Sequence, residues 1–259
     1  MRIASFNANS IRSRLALILE WMKANDCDVL AVQETKVADE EFPVSEINSA
    51  GYEVVFTGQK SYNGVAILSK EPLEDVQKGL GWMPEDEEAR VIRGKLRGVT
   101  IVNTYVPQGT AVDSPRFQYK IKWIRGMRDY FERDFSPDDL IVWVGDFNVA
   151  REPIDVYDPE GLYGSVCFHP DEHKALDYVK DWGFVDIFRK HHPGEPGHYT
   201  FWDYRIPNAF KRKMGWRLDH IWATRPMAEC SVDCWIDTEP RTREKPSDHT
   251  FIAADFDVS

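Results

Sequence analysis

Six places in the chain put oxygen-bearing or imidazole side chains at the end of, or inside, an otherwise apolar run. Asn7 and Asn9 follow Ile3–Phe6, Glu34 follows Val29–Val32, and Asn103-Thr104-Tyr105 closes the run from Thr100. Asp146 and Asn148 end the stretch IVWVGDFN, Asp219 lies within Arg217–Trp222, and Asp248-His249 precede the last run. Taken singly, an Asn or Asp after a strand makes a turn or a helix cap. Asp219 resists that reading, because an Asp inside a strand is disfavoured and costly to bury unpaired. Carboxylate and amide oxygens without thiols suit a hard cation, Mg²⁺ or Mn²⁺, which keeps several waters and takes one or two protein carboxylates plus substrate phosphate. His249 with an acid nearby offers a proton-transfer or charge-stabilising pair. Asp146 with Asn148 could hold a water for in-line attack on phosphorus. The combination points to phosphoester hydrolysis.

Ten short apolar runs supply the strands that must carry these groups: Ile3–Phe6, Val29–Val32, Glu53–Phe56, Gly64–Leu68, Ala89–Lys95, Thr100–Tyr105, Leu140–Val144, Arg217–Trp222, Ser231–Trp235 and Thr250–Phe256. Alternation along a strand puts Asn7 and Asn9 on one face, and likewise Asp146 and Asn148. Helical period marks Ile11–Lys23 and Pro115–Phe131, the second with Ser114 and Pro115 at its start, and Asp171–Trp182 reads as a third helix. Strand follows strand over 52–105 and 217–256, which excludes a regular βαβ repeat. The expected architecture is α/β, with two mixed sheets face to face under outer helices. No repeat, low-complexity tract or Gly/Ser linker interrupts the chain, so residues 1–259 are expected to form a single domain.

Composition narrows the class further. The 259 residues are 42% hydrophobic and 13% aromatic, enough for a large core. Cys27, Cys167, Cys230 and Cys234 show no paired spacing, which argues against a disulfide framework or structural zinc. No apolar run reaches the roughly 18 residues needed to span a bilayer, and the start of the chain has no basic, apolar leader; a cytoplasmic, intracellular protein is expected. The net charge of −11 disfavours an anionic partner at first sight. Basic residues nevertheless bunch at Arg116–Arg128 and at Arg205, Lys211, Arg212, Lys213 and Arg217, while acids bunch at Glu85-Asp86-Glu87-Glu88. Each bunch alone reads as a solvated face.

SFNANSIR (5–12), LAVQETK (30–36), NGVAI (63–67), NTYVPQG (103–109), GDFNVA (145–150), YTFWDYR (199–205), GWRLDH (215–220) and PSDH (246–249) resemble, in this order, the motifs of the exonuclease III family of abasic-site endonucleases. This family lies within the endonuclease/exonuclease/phosphatase superfamily, and the likeness spans essentially the whole chain. It implies a four-layer α/β sandwich and a metal-dependent DNA repair phosphodiesterase acting on double-stranded DNA with abasic sites or 3′ ends; a monomer is expected. By the same resemblance, Glu34, Asn7, Asn9 and Asp248 form the metal end, with Mg²⁺ (Mn²⁺ as substitute). Asp146 orients or deprotonates the attacking water, Asn148 bonds the scissile phosphate, and His249 paired with Asp219 stabilises its charge. Tyr105, phenol or phenolate, contacts the phosphate or leaving group.

Phe201, Trp216 and Leu218 match positions that line a pocket for an extruded abasic sugar, although large apolar residues are core by default. A small apolar pocket admits a baseless deoxyribose and excludes a nucleotide with its base, and a site without a base costs less to flip. Trp202 is assigned to the core. Lys211, Arg212 and Lys213 would meet the DNA backbone, which predicts binding that weakens steeply with salt. The chain departs from the family pattern at Ser10 and Ala89, where Gly is usual, and at Thr250-Phe251 after the Asp-His pair; the first two bear on backbone freedom. Two alternatives stand beside this reading: a superfamily phosphatase acting on inositol or lipid phosphates, and a non-catalytic nucleic-acid-binding protein that keeps the fold.

Overall fold

The computed structural model describes residues 1–81 and 88–258, so Glu85, Asp86 and Glu87 of the acidic bunch lie outside the described residues. One sheet is built from β1 (Arg2–Asn7), β2 (Val29–Gln33), β3 (Glu53–Thr57), β4 (Val65–Ser69), β11 (Ser231–Asp237) and β12 (Phe251–Phe256), in the order β11-β12-β1-β2-β4-β3. The other holds β5 (Glu74–Lys78), β6 (Val91–Leu96), β7 (Val99–Tyr105), β8 (Ile141–Asp146), β9 (Phe184–Asp186) and β10 (Asp219–Thr224), in the order β5-β6-β7-β8-β10-β9. Both sheets are mixed: β1 runs parallel to β2 and β7 to β8, while β1 with β12 and β8 with β10 are antiparallel.

Side-chain alternation builds the layers. Ile3, Val29, Ala31, Ile101, Val142, Val144 and Ile252 point between the sheets and form one apolar core. Their neighbours Ala4, Phe6, Leu30 and Val32 point the other way, onto Ile11, Ile18, Trp21 and Met22 of α1 (Ile11–Ala24). On the second sheet Val102, Ile141, Trp143 and Trp222 meet α3 (Pro115–Asp134) and α5 (Pro170–Lys180). The result is helix, sheet, sheet, helix, the four-layer sandwich expected. Short helices α2 (Val44–Ser49), α4 (Pro159–Leu162), α6 (Ile187–His191) and α7 (Arg225–Glu229) fill connections.

A polar bracket also joins the sheets. Gln33 Nε2 donates to Asn103 Oδ1 at 2.7 Å, and Asn103 Nδ2 donates to the carbonyls of Val32 and Ala66 at 3.0 and 2.8 Å. Asn103, which ends an apolar run in the sequence, thus serves the core: a buried amide is tolerated because its hydrogen bonds are made.

All ten apolar runs are strands. Among the described residues, the two strands without such a run are β5, whose EDVQK is mostly exposed at a sheet edge, and the three-residue β9. The basic bunches need correction. Lys120 and Arg217 are fully buried, the first against Glu172 and the second against Asp155 and Asp186, so neither belongs to a solvated face. Lys211, Arg212 and Lys213 are exposed as expected.

Candidate active site

Strand register brings the polar strand ends together. In the second sheet Tyr105 lies opposite Asp146 and Asp146 opposite Asp219, so three adjacent strands present these side chains in one row. In the first sheet Asn7 lies beside Gln33, which places Glu34 next to it. Close approach of β7 and β8 demands a residue without a side chain just before Asp146. Gly145 has φ +141°, and a Cβ there would lie 2.0 Å from the Thr104 carbonyl oxygen.

The two sheets meet through hydrogen bonds. Asn7 Nδ2 donates to Glu34 Oε1 at 2.8 Å and to Asp146 Oδ2 at 2.9 Å. Its Oδ1 accepts the Asn9 backbone N–H at 3.0 Å, and this settles which end of the amide faces the carboxylates. Asn9 Nδ2 donates to Asp248 Oδ1 at 3.0 Å, and Asn9 Oδ1 accepts from Lys36 Nζ at 2.5 Å. Asp146 Oδ1 accepts the Asn148 N–H at 2.9 Å, and Asn148 Nδ2 donates to the Val106 carbonyl at 2.9 Å. His249 Nδ1 lies 2.7 Å from Asp219 Oδ2, and its Nε2 lies 3.8 Å from Asp146 Oδ2. Asn9, Ser10, Glu34, Lys36 and Asn148 all have φ between +44° and +98°. Residues held in this left-handed region cost free energy that the surrounding hydrogen bonds must offset, a pattern common at functional sites. Ser10, at φ +98°, stands where glycine would be least strained.

Electrostatics separate the roles of these groups. Burial opposes a charge on His249, but the carboxylates of Asp219 and Asp146 overcome it and push the imidazole up to about 10. Burial raises Asp146, His249 opposes the shift, and Asp219 and Glu34 add to it, leaving Asp146 at about 7. Near neutral pH this is a cationic imidazole beside a carboxyl group poised between its two forms. Glu34 is lowered despite burial, because Lys36 Nζ sits 2.7 Å from its Oε2. Of the two forms open to Tyr105, burial and the charges of Glu34 and Asp146, which hold it well above the ordinary phenol range, favour the neutral phenol.

Oxygen atoms of Glu34 and Asp146 and a ring nitrogen of His249 lie within 4.8 Å of one another. With Asp219 and Asp248 nearby, four carboxyl groups face one imidazole and Lys36. That surplus of anionic oxygen fits a hard divalent cation. Both His249 nitrogens already face aspartates, which leaves Glu34 as the best-placed anchor.

This network opens into a cleft of about 580 Å³ lined by Glu34, Tyr105, Asn148, Asp248 and His249 on one side and by Phe201, Trp216 and Leu218 on the other. Backbone bridges Phe201 to Trp216 and Phe201 to His249 hold the two sides together. Thr200 Oγ1 accepts the N–H groups of both Leu218 and Asp219 at 3.0 Å. Trp202 is buried against Phe210, as expected of a core residue. Lys211, Arg212 and Lys213 do not line the cleft; exposed Arg205 does. Sequence reasoning passed over Lys36, Thr200 and the wall formed by Tyr157, Leu162, Val166 and Cys167. Lys36 stands two positions after Glu34 in the same motif, which was a usable signal, whereas the 157–167 segment has no periodicity.

Residues 4–249 match the endonuclease/exonuclease/phosphatase family. Exodeoxyribonuclease III of Haemophilus influenzae is 32% identical over 271 residues, covering 99% of this chain and 100% of that protein. Among solved structures, an AP endonuclease from Archaeoglobus fulgidus superposes over 100% of both chains, with TM-score 0.95 and 47% identity. A 3′ phosphatase from Neisseria, NExo, bound to a product DNA hairpin, also covers 100% of both chains, with TM-score 0.95 and 36% identity. The chain belongs to the endonuclease/exonuclease/phosphatase family, in the branch of the exonuclease III and abasic-site endonucleases.

Proposed function

We propose that the protein is a divalent-cation-dependent DNA repair phosphodiesterase that cuts the backbone 5′ to an abasic site and leaves a 3′-hydroxyl. The same groups would clean 3′ ends and remove 3′-terminal nucleotides from double-stranded DNA. One observation carries this reading: Glu34, Asn148 and His249, with Asp146 hydrogen-bonded just behind them, share a cleft with the apolar wall of Phe201, Trp216 and Leu218. Likeness to the AP endonuclease of Archaeoglobus fulgidus and to the DNA-bound 3′ phosphatase of Neisseria supports both the reaction and the substrate class. An inositol phosphate, hydroxylated around its ring, would gain little from that apolar wall.

Hydrolysis then proceeds by positioning and charge stabilisation. Asp146 takes a proton from the water that attacks phosphorus, a P–O bond to water forms, and the bond from phosphorus to the 3′ oxygen breaks. Asn148 donates to a non-bridging oxygen, and the cationic His249, held by Asp219, stabilises the charge that builds there. Tyr105, a phenol lining the same cleft, would donate to the leaving oxygen. Glu34 would anchor the cation, Mg²⁺ with Mn²⁺ as substitute, whose charge offsets that of the phosphate and leaving group. Asn7 and Asn9 orient Glu34 and Asp248 through their amide N–H groups rather than offering oxygens to the cation. Arg205 at the cleft and Lys211, Arg212 and Lys213 beyond it would meet DNA phosphates. The whole chain would act as one catalytic domain and as a monomer.

The test is a labelled duplex with one tetrahydrofuran abasic analogue, which cannot undergo β-elimination, so any cut reports hydrolysis. Incision on the 5′ side with Mg²⁺, leaving a 3′-hydroxyl and stopped by EDTA, is expected. A folded, Mg²⁺-supplied protein that leaves this duplex intact would remove the proposal.

A further inference from the structure

The segment between α6 and Phe201 reads HPGEPGH from His192 to His198. Gly194 and Gly197, with φ +71° and +85°, fold it back on itself, conformations that glycine adopts without penalty. The fold brings three side chains to one point. His192 Nδ1 lies 3.1 Å and His198 Nε2 3.2 Å from the same oxygen, Glu195 Oε2.

The His192 ring has a fixed orientation. Its Nε2 lies 2.7 Å from the Cys234 carbonyl oxygen on β11, which can only accept, so Nε2 carries the proton. Nδ1 therefore meets the carboxylate oxygen either through a second proton on the ring or through a bound cation. Phe188 stacks on His192 with centroids 4.6 Å apart and meets His198 edge-on at 5.3 Å, which holds both rings. A backbone carbonyl on the far nitrogen is the usual outer partner of a metal-bound histidine.

The geometry points to a second cation site: we propose that His192 Nδ1, Glu195 Oε2 and His198 Nε2 bind Zn²⁺, apart from the catalytic cleft. Two imidazoles and one carboxylate suit zinc over Mg²⁺, with water in the fourth position. Tetrahedral zinc with bonds near 2.0–2.1 Å keeps its ligand atoms about 3.3 Å apart, close to the two separations observed here. None of the three residues lines the cleft, so the ion would have a structural role. It would staple the loop that leads into Thr200 and Phe201 to the Cys234 strand.

Zinc binding to the full-length protein is measured by equilibrium dialysis in excess Mg²⁺, which keeps the oxygen-rich catalytic site occupied, with thermal unfolding as a second readout. The wild type and Glu34→Gln are expected to retain one equivalent of zinc and to gain Tm from it. His198→Ala, which removes a part-exposed ring, should lose both, with affinity falling by more than the ~10–100-fold that removal of an outer partner costs. X-ray absorption at the zinc edge should show two imidazoles. Absence of bound zinc, equal binding by His198→Ala, or loss of binding in Glu34→Gln alone would overturn the assignment. None of these readouts depends on DNA incision.

Discussion

Arg217, fully buried, and His249, nearly buried at the wall of the cleft, each face two aspartates, yet their surroundings do opposite things to those aspartates. Arg217 forks onto Asp155 at 2.8 and 3.1 Å and onto Asp186 at 2.8 and 3.2 Å, and Arg189 adds a second guanidinium to Asp155. Two cations meet two carboxylates. Burial opposes ionisation of Asp155 and Asp186, but Arg217 overcomes it and holds both below the ordinary carboxylate range. Around His249, one imidazole faces Asp219 and Asp146, with Glu34 close behind, and Asp146 is driven up to about 7. Burial of charge therefore does not by itself mark a catalytic centre. What separates the two clusters is whether the charges are matched: the matched one is a structural tie, and the unmatched one is left able to take a cation and exchange a proton.

The signs of their pH dependence differ accordingly. Carboxylates with lowered pKa stabilise the fold above their unfolded values, and that stability is lost as pH falls through the lowered values. Asp146 has a raised pKa, so its contribution is present in acid and is lost as pH rises from the ordinary aspartate range to about 7.

Three substitutions sharpen the contrast. Asp146→Asn removes the proposed base and should lower kcat/KM for abasic-site incision by about 10²–10⁴-fold. The same change relieves anionic crowding, so at pH 8 without metal its Tm should equal or exceed that of the wild type; a variant that loses activity and stability together would place Asp146 with the structural ties. Arg217→Met leaves two buried carboxylates unmatched and should cost about 3–5 kcal/mol in urea unfolding. A loss below about 1 kcal/mol, the range of an exposed ion pair, would show that the Arg217 cluster is not the tie described. The smallest effect belongs to Arg212→Ala, which removes an exposed cation outside both clusters. It should weaken DNA binding without base preference and reduce the slope of log K against log salt by about 1; an unchanged slope would remove Arg212 from the DNA contact.

Much of this was legible in the sequence, for physical reasons. Apolar runs mark strands because both sheets are covered on both faces, and polar groups at the ends of such runs have few bland explanations once they recur. β5 escaped because an exposed edge strand needs no apolar pattern, and β9 because three residues carry too little signal. Arg217 and Lys120 were misread as surface charge because sequence shows a charge and not its partner. Those partners lie 62 and 52 positions away, at Asp155 and Glu172. The ionisation of Tyr105 was equally hidden, since it depends on Glu34 and Asp146 arriving from two other strands.

The claim that an unmatched buried cluster performs the chemistry is tested most directly by the pH dependence of single-turnover incision of the tetrahydrofuran duplex at saturating Mg²⁺. Asp146 must have lost its proton and His249 must keep one. The rate should rise with pH to a midpoint at or below about 7, because a cation at Glu34 favours the Asp146 carboxylate, then hold level and decline in alkali as His249 loses its proton, at a pH that the same cation draws below the value of about 10 in the metal-free site. A rate that is flat through the acid range in the wild type, or that falls as pH passes from 7 to 8, would contradict the assignment of base and cation on which the account rests.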